Sequence, residues 1–218
     1  AVEVLEALNV HVRIPDDVAG SGRPPHSKGF IDKARAAART NVDVLAPLVA
    51  DDWDVVVVEP SDAVMFQHDY LDLLRGEAVE RVATNTYGVL EYVDTFRLVD
   101  SAGIEPTPDA ARQSLTYHGH CHQKSTKKDH HAVGVLRRAG YDVDPLDSTC
   151  CGMAGSFGYE AEHYSMSKAI ANILFDQIDD SDGDVVVAPG ASCRSQLGDR
   201  SGSEEPPHPV ELVAAALE

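Results

Sequence analysis

Ser148-Thr149-Cys150-Cys151-Gly152-Met153-Ala154-Gly155-Ser156-Phe157-Gly158-Tyr159 carries two of the chain's four cysteines side by side. Neighbouring cysteines seldom bond to each other, because the ring would be strained. Nor do they face one point in regular structure: adjacent residues alternate faces in a strand, and helical neighbours lie three or four apart. The pair therefore predicts a sharp turn whose two sulfurs reach different atoms of one multi-metal object. Gly152 and Gly155 are read as cofactor-binding positions. They can take positive φ, let a bulky inorganic group approach, and leave amide N–H groups for thiolate or sulfide.

Strands and helices alternate on both sides of this turn. Leu115–His118 reads as a strand entering the stretch His118-Gly119-His120-Cys121-His122. Ala132–Ala139 reads as a helix stopped by Gly140, and Tyr141–Val143 as a short strand into the Cys150-Cys151 turn. Glu160–Ile178 reads as a long helix, with Glu160 favourable in its first turn. Val185–Ala188 reads as a buried strand and Pro209–Leu217 as a closing helix. In the first half, Val2–Leu8 reads as a helix, Val10–Ile14 as a strand and Ser27–Val49 as a long helix near whose end Pro47 stands. Val55–Val58 reads as a strand buried on both faces of a parallel sheet. Ser61–Leu74 and residues 77–98 read as helical, the latter interrupted at Asn85-Thr86-Tyr87-Gly88.

The halves rhyme. Setting Gly22 against Gly152 brings Gly20-Ser21 opposite Cys150-Cys151, and Ser61-Asp62 opposite Ser192-Cys193. Forty residues separate Ser21 from Asp62, and 41 separate Cys151 from Cys193. This predicts an internal duplication: residues 1–107 as a first repeat that has lost its cysteines and its N-terminus, and 108–218 as a second that carries the site. The fold class is α/β, two similar lobes with parallel sheets, their loops facing each other across a shared cleft. Ser21, Arg23 and Asp62 stand where the second half has ligands or their neighbours, and read as structural replacements.

The remaining cysteines are Cys121, among three histidines, and Cys193, in Ser192-Cys193-Arg194-Ser195. Twenty-eight residues separate Cys121 from Cys150. Zinc ribbons and ferredoxin runs use close Cys pairs, which are absent. Ligands Cys121, Cys150, Cys151 and Cys193 would instead converge from the ends of separate strands, and four thiolates suffice for a [4Fe–4S] cluster. Zinc is the alternative, since Cys and His suit it, although in a strand His120 and His122 would point away from Cys121. Lys124 and Arg194, within three residues of a cysteine, are the cations that would raise a cluster's potential. Thiol–disulfide chemistry at Cys150/Cys151 is a further reading.

The Cys…CysCysGly…Cys order, with the wording CCGMAGSFGYE, SCRSQ and HGHCHQK, resembles the cysteine-rich CCG domain family. That family includes iron–sulfur subunits of glycolate and lactate oxidases, the cysteine-rich subunit of heterodisulfide reductase, and the C-terminal part of FAD-linked 2-hydroxyacid dehydrogenases, to which the wording is most similar. The family carries a tandem repeat. Its full motif ends Cys-x-x-Cys, whereas Gln196 stands at the last position here, which leaves a four-cysteine cluster or a degenerate site. The resemblance implies an electron-transfer domain. Electrons from a flavin dehydrogenase domain or subunit, where FAD would sit, would pass through the cluster to a quinone or other carrier. The alternative is a zinc-bound or metal-free docking module of the same complex.

Composition bounds these readings. The formal net charge is -18, from 36 acidic and 18 basic residues, which argues against nucleic acid or an anionic membrane surface as partner. Such acidity fits halophilic adaptation. No run approaches the ~18 apolar residues of a membrane span. Cysteines without a visible secretory signal point to a cytoplasmic chain, with peripheral attachment at the inner face of the membrane as a variant. The chain opens at Ala1 directly into a helical pattern and reads as a piece of a longer polypeptide. It carries no GxGxxG, P-loop, GxSxG or HExxH motif.

Overall fold

Short parallel strands alternate with helices along the computed structural model, which describes residues 1–103, 107–148, 150–200 and 202–217. The α/β class read from the valine runs is the class found. The elements group into two compact units, Arg13–Tyr92 and Ala1–Val12 with Val93–Glu218. Helix α1 (Val2–Ala7) belongs to the second unit.

The unit Arg13–Tyr92 is built on one amphipathic helix. After α2 (Arg23–Ser27), Gly29 takes a φ of 77° and breaks the chain direction, so α3 runs Ile31–Ala50 rather than from Ser27. Ala34, Ala38, Val42, Leu45 and Val49 recur every three or four residues and form its buried stripe. Pro47 lies inside the helix without ending it. β1 (Val55–Val57) leads to a continuous helical run made of α4 (Pro60–Val64), a π-helical turn Met65–Asp69, and α5 (Tyr70–Leu73). Met65 and Tyr70 are fully buried there and pack in one core with Ala34, Ala38 and Val42. α6 (Glu77–Thr84), β2 (Thr86–Gly88) and α7 (Val89–Thr95) follow.

Two expectations need correction here. The break at Asn85–Gly88 is a strand, pairing parallel with β1 in the register Val55↔Thr86. A three-residue strand containing glycine has too little pattern to be seen until its partner supplies the hydrogen bonds. β1 itself is only half-buried and Val58 is 44% exposed. In a two-stranded sheet each strand is an edge, so β-branching alone does not imply burial on both faces.

A polar group at the heart of α3 binds its N-terminal approach. Asn41 is fully buried. It accepts from the Ala19 N–H at 2.7 Å and donates to Tyr70 Oη at 2.8 Å, while Tyr70 Oη donates to Ser21 O at 2.8 Å. Replacing Asn41 by Leu leaves the Ala19 amide without its acceptor, and a buried orphan of this kind costs about 1–3 kcal/mol. Urea denaturation of Asn41→Leu should show a loss of stability of that size. An unchanged midpoint would mean the network adds nothing.

The second unit holds α8 (Leu98–Ala102), β3 (Ser114–Tyr117), α9 (Cys121–Ser125), α10 (His130–Arg138), β4 (Asp142–Pro145), α11 (Tyr164–Asp179), β5 (Val185–Val187), α12 (Ala191–Gly198) and α13 (Pro209–Leu217). The strands form one parallel sheet in the order β4-β3-β5, Leu115 lying between Val143 and Val185. α10 buries Val133, Val135 and Leu136, and α13 buries Val210, Val213 and Ala216. Within this unit Asp94 accepts from Arg138 and lies 2.6 Å from His131 Nδ1, both on α10.

Val10–Ile14 forms no strand, and Ile14 is 74% exposed. Alternation without a partner ladder or a covered face does not make a strand. α11 begins at Tyr164, because a 3₁₀ turn at Phe157–Tyr159 hands over to an extended Glu160. Glu160 is therefore outside the helix, 3.0 Å from His163 Nδ1.

Candidate metal centre

Parallel strands bring all their C-terminal ends to one edge, which is where ligand sites in α/β sheets form. β3 leads into α9, whose first residue is Cys121. β4 leads into the Cys150-Cys151 turn, and Leu146 N still bonds Tyr117 O at 3.0 Å. β5 leads through Pro189-Gly190 into α12, which carries Cys193. Three loops thus deliver four thiols, and all four are free. Thr149, within the turn, lies outside the described residues.

Cys121 and Cys193 each sit in the first turn of a short helix. Cys151 and Cys193 are buried, Cys121 and Cys150 partly exposed. A ring nitrogen of His118 and the sulfurs of Cys151 and Cys193 lie within 4.8 Å of one another. Cys150 reaches the same group through a hydrogen bond with Cys151, and Cys121 is close enough to Cys150 for their charges to interact.

Gly152 makes the turn. Its φ is 93°, its N–H donates to Cys150 Sγ at 3.3 Å, and a Cβ on it would stand 2.3 Å from Ser167 O on α11. Gly155 also has positive φ, 69°, but open space around it.

Cys121, Cys150 and Cys151 resist ionisation. Burial, then the neighbouring Cys150, push Cys121 up. Hydrogen bonding to Cys151, then burial, push Cys150 up. In Cys151 the bond with Cys150 lowers the pKa, but the bond with Cys193 and burial outweigh it and carry it to about 12. Thiols that cannot all ionise without a compensating cation fit a metal or cluster, whose positive charge would let them bind as thiolates. A sulfur-rich donor set suits iron–sulfur or zinc.

The other sequence-designated residues fall differently. Lys124 Nζ donates to Leu146 O at 3.1 Å, Ser148 O at 2.5 Å and Ser148 Oγ at 3.1 Å. Arg194 is ion-paired with Glu205 at 3.3 Å. Gln196 is buried, its amide 3.5 Å from Ser167 O. His118, only 1% exposed, is in the sequence no more than a neighbour of Cys121. Its place just past the end of a strand is the one signal that could have found it. Ser148, whose Oγ lies 2.7 Å from His118 Nδ1, has none.

Residues 115–198, from β3 through α12, match the cysteine-rich domain family CCG. This part of the chain is a CCG cysteine-rich domain. Similar proteins extend the match over both units. One subunit of the anaerobic glycerol-3-phosphate dehydrogenase of Escherichia coli (strain K12) is 30% identical over 222 residues, 99% of this chain and 54% of that protein. Lactate utilization protein A of Bacillus licheniformis is 24% identical, over 99% of this chain and 90% of its own. D-2-hydroxyglutarate dehydrogenase of Escherichia coli (strain K12) is 26% identical, over 88% of this chain and 18% of its own. The chain thus spans about half the length of the glycerol-3-phosphate dehydrogenase subunit. Two of these three similar proteins are named as a dehydrogenase or as a subunit of one. No helix of the described residues is long and apolar enough to cross a membrane.

Proposed function

We propose that the chain is the iron–sulfur electron-transfer part of a flavin-linked dehydrogenase. The observation that carries this reading is that three parallel strands of one sheet lead into the segments bearing four free thiols, of which Cys151 and Cys193 are buried beside His118. Cys121, Cys150, Cys151 and Cys193 would hold a [4Fe–4S] cluster, whose chemistry is one-electron transfer. A flavin takes two electrons as a hydride, so a one-electron carrier belongs between it and a quinone or another acceptor. Gly152 shapes the turn, Gly155 leaves room beside it, and Lys124 and Arg194 supply positive charge nearby.

The partner's substrate is a 2-hydroxyacid such as lactate, glycolate or 2-hydroxyglutarate. The names of two similar proteins, with lactate and 2-hydroxyglutarate, support that class, whereas the glycerol 3-phosphate named in a third is an alcohol without the carboxylate. FAD sits on that separate domain or subunit. The place of action is the cytoplasm, against the inner face of the membrane where quinones reside, and the acidic surface is a halophilic one.

We also take residues 1–107 and 108–218 as two CCG-type repeats. Ser21 Oγ donates to Asp62 Oδ1 at 2.5 Å, at the positions matched to Cys151 and Cys193. Gly22, matched to Gly152, has a φ of 85° and presses on the long helix that follows it, its Cβ position 3.1 Å from Ala34 O. The same turn on the same kind of helix supports common descent, with a hydrogen-bonded pair where a thiol pair had stood.

Iron, sulfide and zinc analysis of anaerobically prepared protein tests the function. About four irons and four sulfides per chain, lost in Cys150→Ser, is the expected result. One zinc or no metal under the same conditions would overturn it in favour of a docking module.

A further inference from the structure

His118 closes β3, its backbone N–H donating to Val187 O at 2.9 Å. Its ring is held from one side only. Nδ1 lies 2.7 Å from Ser148 Oγ, and the same Oγ lies 3.1 Å from Lys124 Nζ. An ammonium has donors and no acceptor, so Ser148 Oγ accepts from Lys124. The serine proton then needs an acceptor of its own. Among the described residues the only other partner of Ser148 Oγ is His118 Nδ1. Nδ1 therefore accepts, and in a neutral imidazole the proton must sit on Nε2.

Nε2 is buried and has no hydrogen-bond partner among the described residues. With Nδ1 taken by Ser148, Nε2 is the nitrogen available to the sulfurs of Cys151 and Cys193, which lie within 4.8 Å of the ring. A protonated Nε2 has no lone pair for a metal, but it is a donor to sulfur. Lys124 is itself fixed. Its Nζ also bonds Leu146 O and Ser148 O, and Gly119 clears its path, since a Cβ there would stand 2.8 Å from Lys124 Cε.

We propose that the chain Lys124–Ser148–His118 locks His118 as an Nε2–H donor to the Cys151/Cys193 sulfurs, making it a positioning residue of the metal centre and not one of its ligands. The proposal rests on reading the cysteines as a metal centre. A donor aimed at ligand sulfur stabilises the more electron-rich state, so it raises the reduction potential. A hydrogen bond to a charged group shifts an equilibrium roughly tenfold or more.

The first test needs no metal. Two-bond ¹H–¹⁵N correlation spectra of the reduced, metal-free protein with ¹⁵N-labelled histidine should show His118 as the Nε2–H tautomer, and Ser148→Ala should give a mixture. An Nδ1–H tautomer in the unsubstituted protein would overturn the proposal whether or not a cluster is ever found. The second test is a redox titration of the iron-loaded protein. His118→Leu should lower the reduction equilibrium about tenfold, 59 mV for one electron, and Ser148→Ala should lower it less. An unchanged potential in both variants, or strong ¹⁵N hyperfine coupling showing histidine bound to iron, would also overturn it. Absence of iron from protein with the Nε2–H tautomer would count against the electron-transfer reading and leave the lock standing.

Discussion

Gly152→Ala is expected to destabilise the protein by about 3 kcal/mol or more, a fall in Tm of roughly 6–12 °C for a chain of this size. Two costs add. A left-handed backbone, φ 93° here, costs an alanine about 1–2 kcal/mol. The new Cβ would also stand 2.3 Å from Ser167 O, 3.2 Å from Ser167 C and 3.3 Å from Ala171 N. Those atoms are the backbone of α11 and cannot turn aside, so the overlap adds about 1–3 kcal/mol more. Gly155→Ala separates the costs. Its φ is also positive, 69°, but nothing lies within 4 Å of the Cβ, so only the backbone penalty applies. Thermal melts of the two variants should differ by several degrees. Equal melts would show that the close approach of the cysteine turn to α11 is not what requires glycine.

Metal affinity at the thiols should rise at least about 10³-fold per pH unit between pH 6 and 8, a factor of about ten for each of Cys121, Cys150 and Cys151. Cys121, Cys150 and Cys151 all have raised pKa values, Cys151 at about 12. They are thus protonated throughout this range in the metal-free protein, and each must lose its proton to bind as a thiolate. The sign follows from the direction of the shifts. A raised thiol pKa lets protons compete at neutral pH, so binding strengthens as pH rises and is lost on acidification. Each proton released contributes about tenfold per pH unit. Chelator competition with Zn²⁺ as the probe, under reducing and anaerobic conditions at pH 6.5 and 7.5, measures the slope. Cys150→Ser should reduce it by one proton. A tenfold change or less in the unsubstituted protein would mean that the thiols do not bind together.

Valine runs, glycine stops and the spacing of Ala34, Ala38 and Val42 identified the α/β class, the long helices and most strands without any structure. These are local signals, and each element's own residues carry them. The sequence also marks all four cysteines as following strand patterns, and the structure places the sulfurs of Cys151 and Cys193 together. Burial, pairing and exact ends were not legible. β1 looks buried by composition but is an edge strand, β2 exists only because β1 supplies its hydrogen bonds, and Glu160 is extended because a 3₁₀ turn precedes it.

The convergence of the site is likewise a property of tertiary structure alone. Cys151 and Cys193 are far apart in the chain, and their sulfurs come within 4.8 Å of a His118 ring nitrogen because β4, β3 and β5 are parallel and adjacent. Which histidine meets the sulfurs was also decided there. Three histidines surround Cys121 in the sequence, and only the ladder between β3 and β5 turns His118 inward, with Ser148 and Lys124 arriving from other segments to set its proton. Sequence chose the chemistry through the residue types it placed near strand ends. The order of strands in the sheet, which depends on long-range hydrogen bonding and packing, chose which of those residues touch.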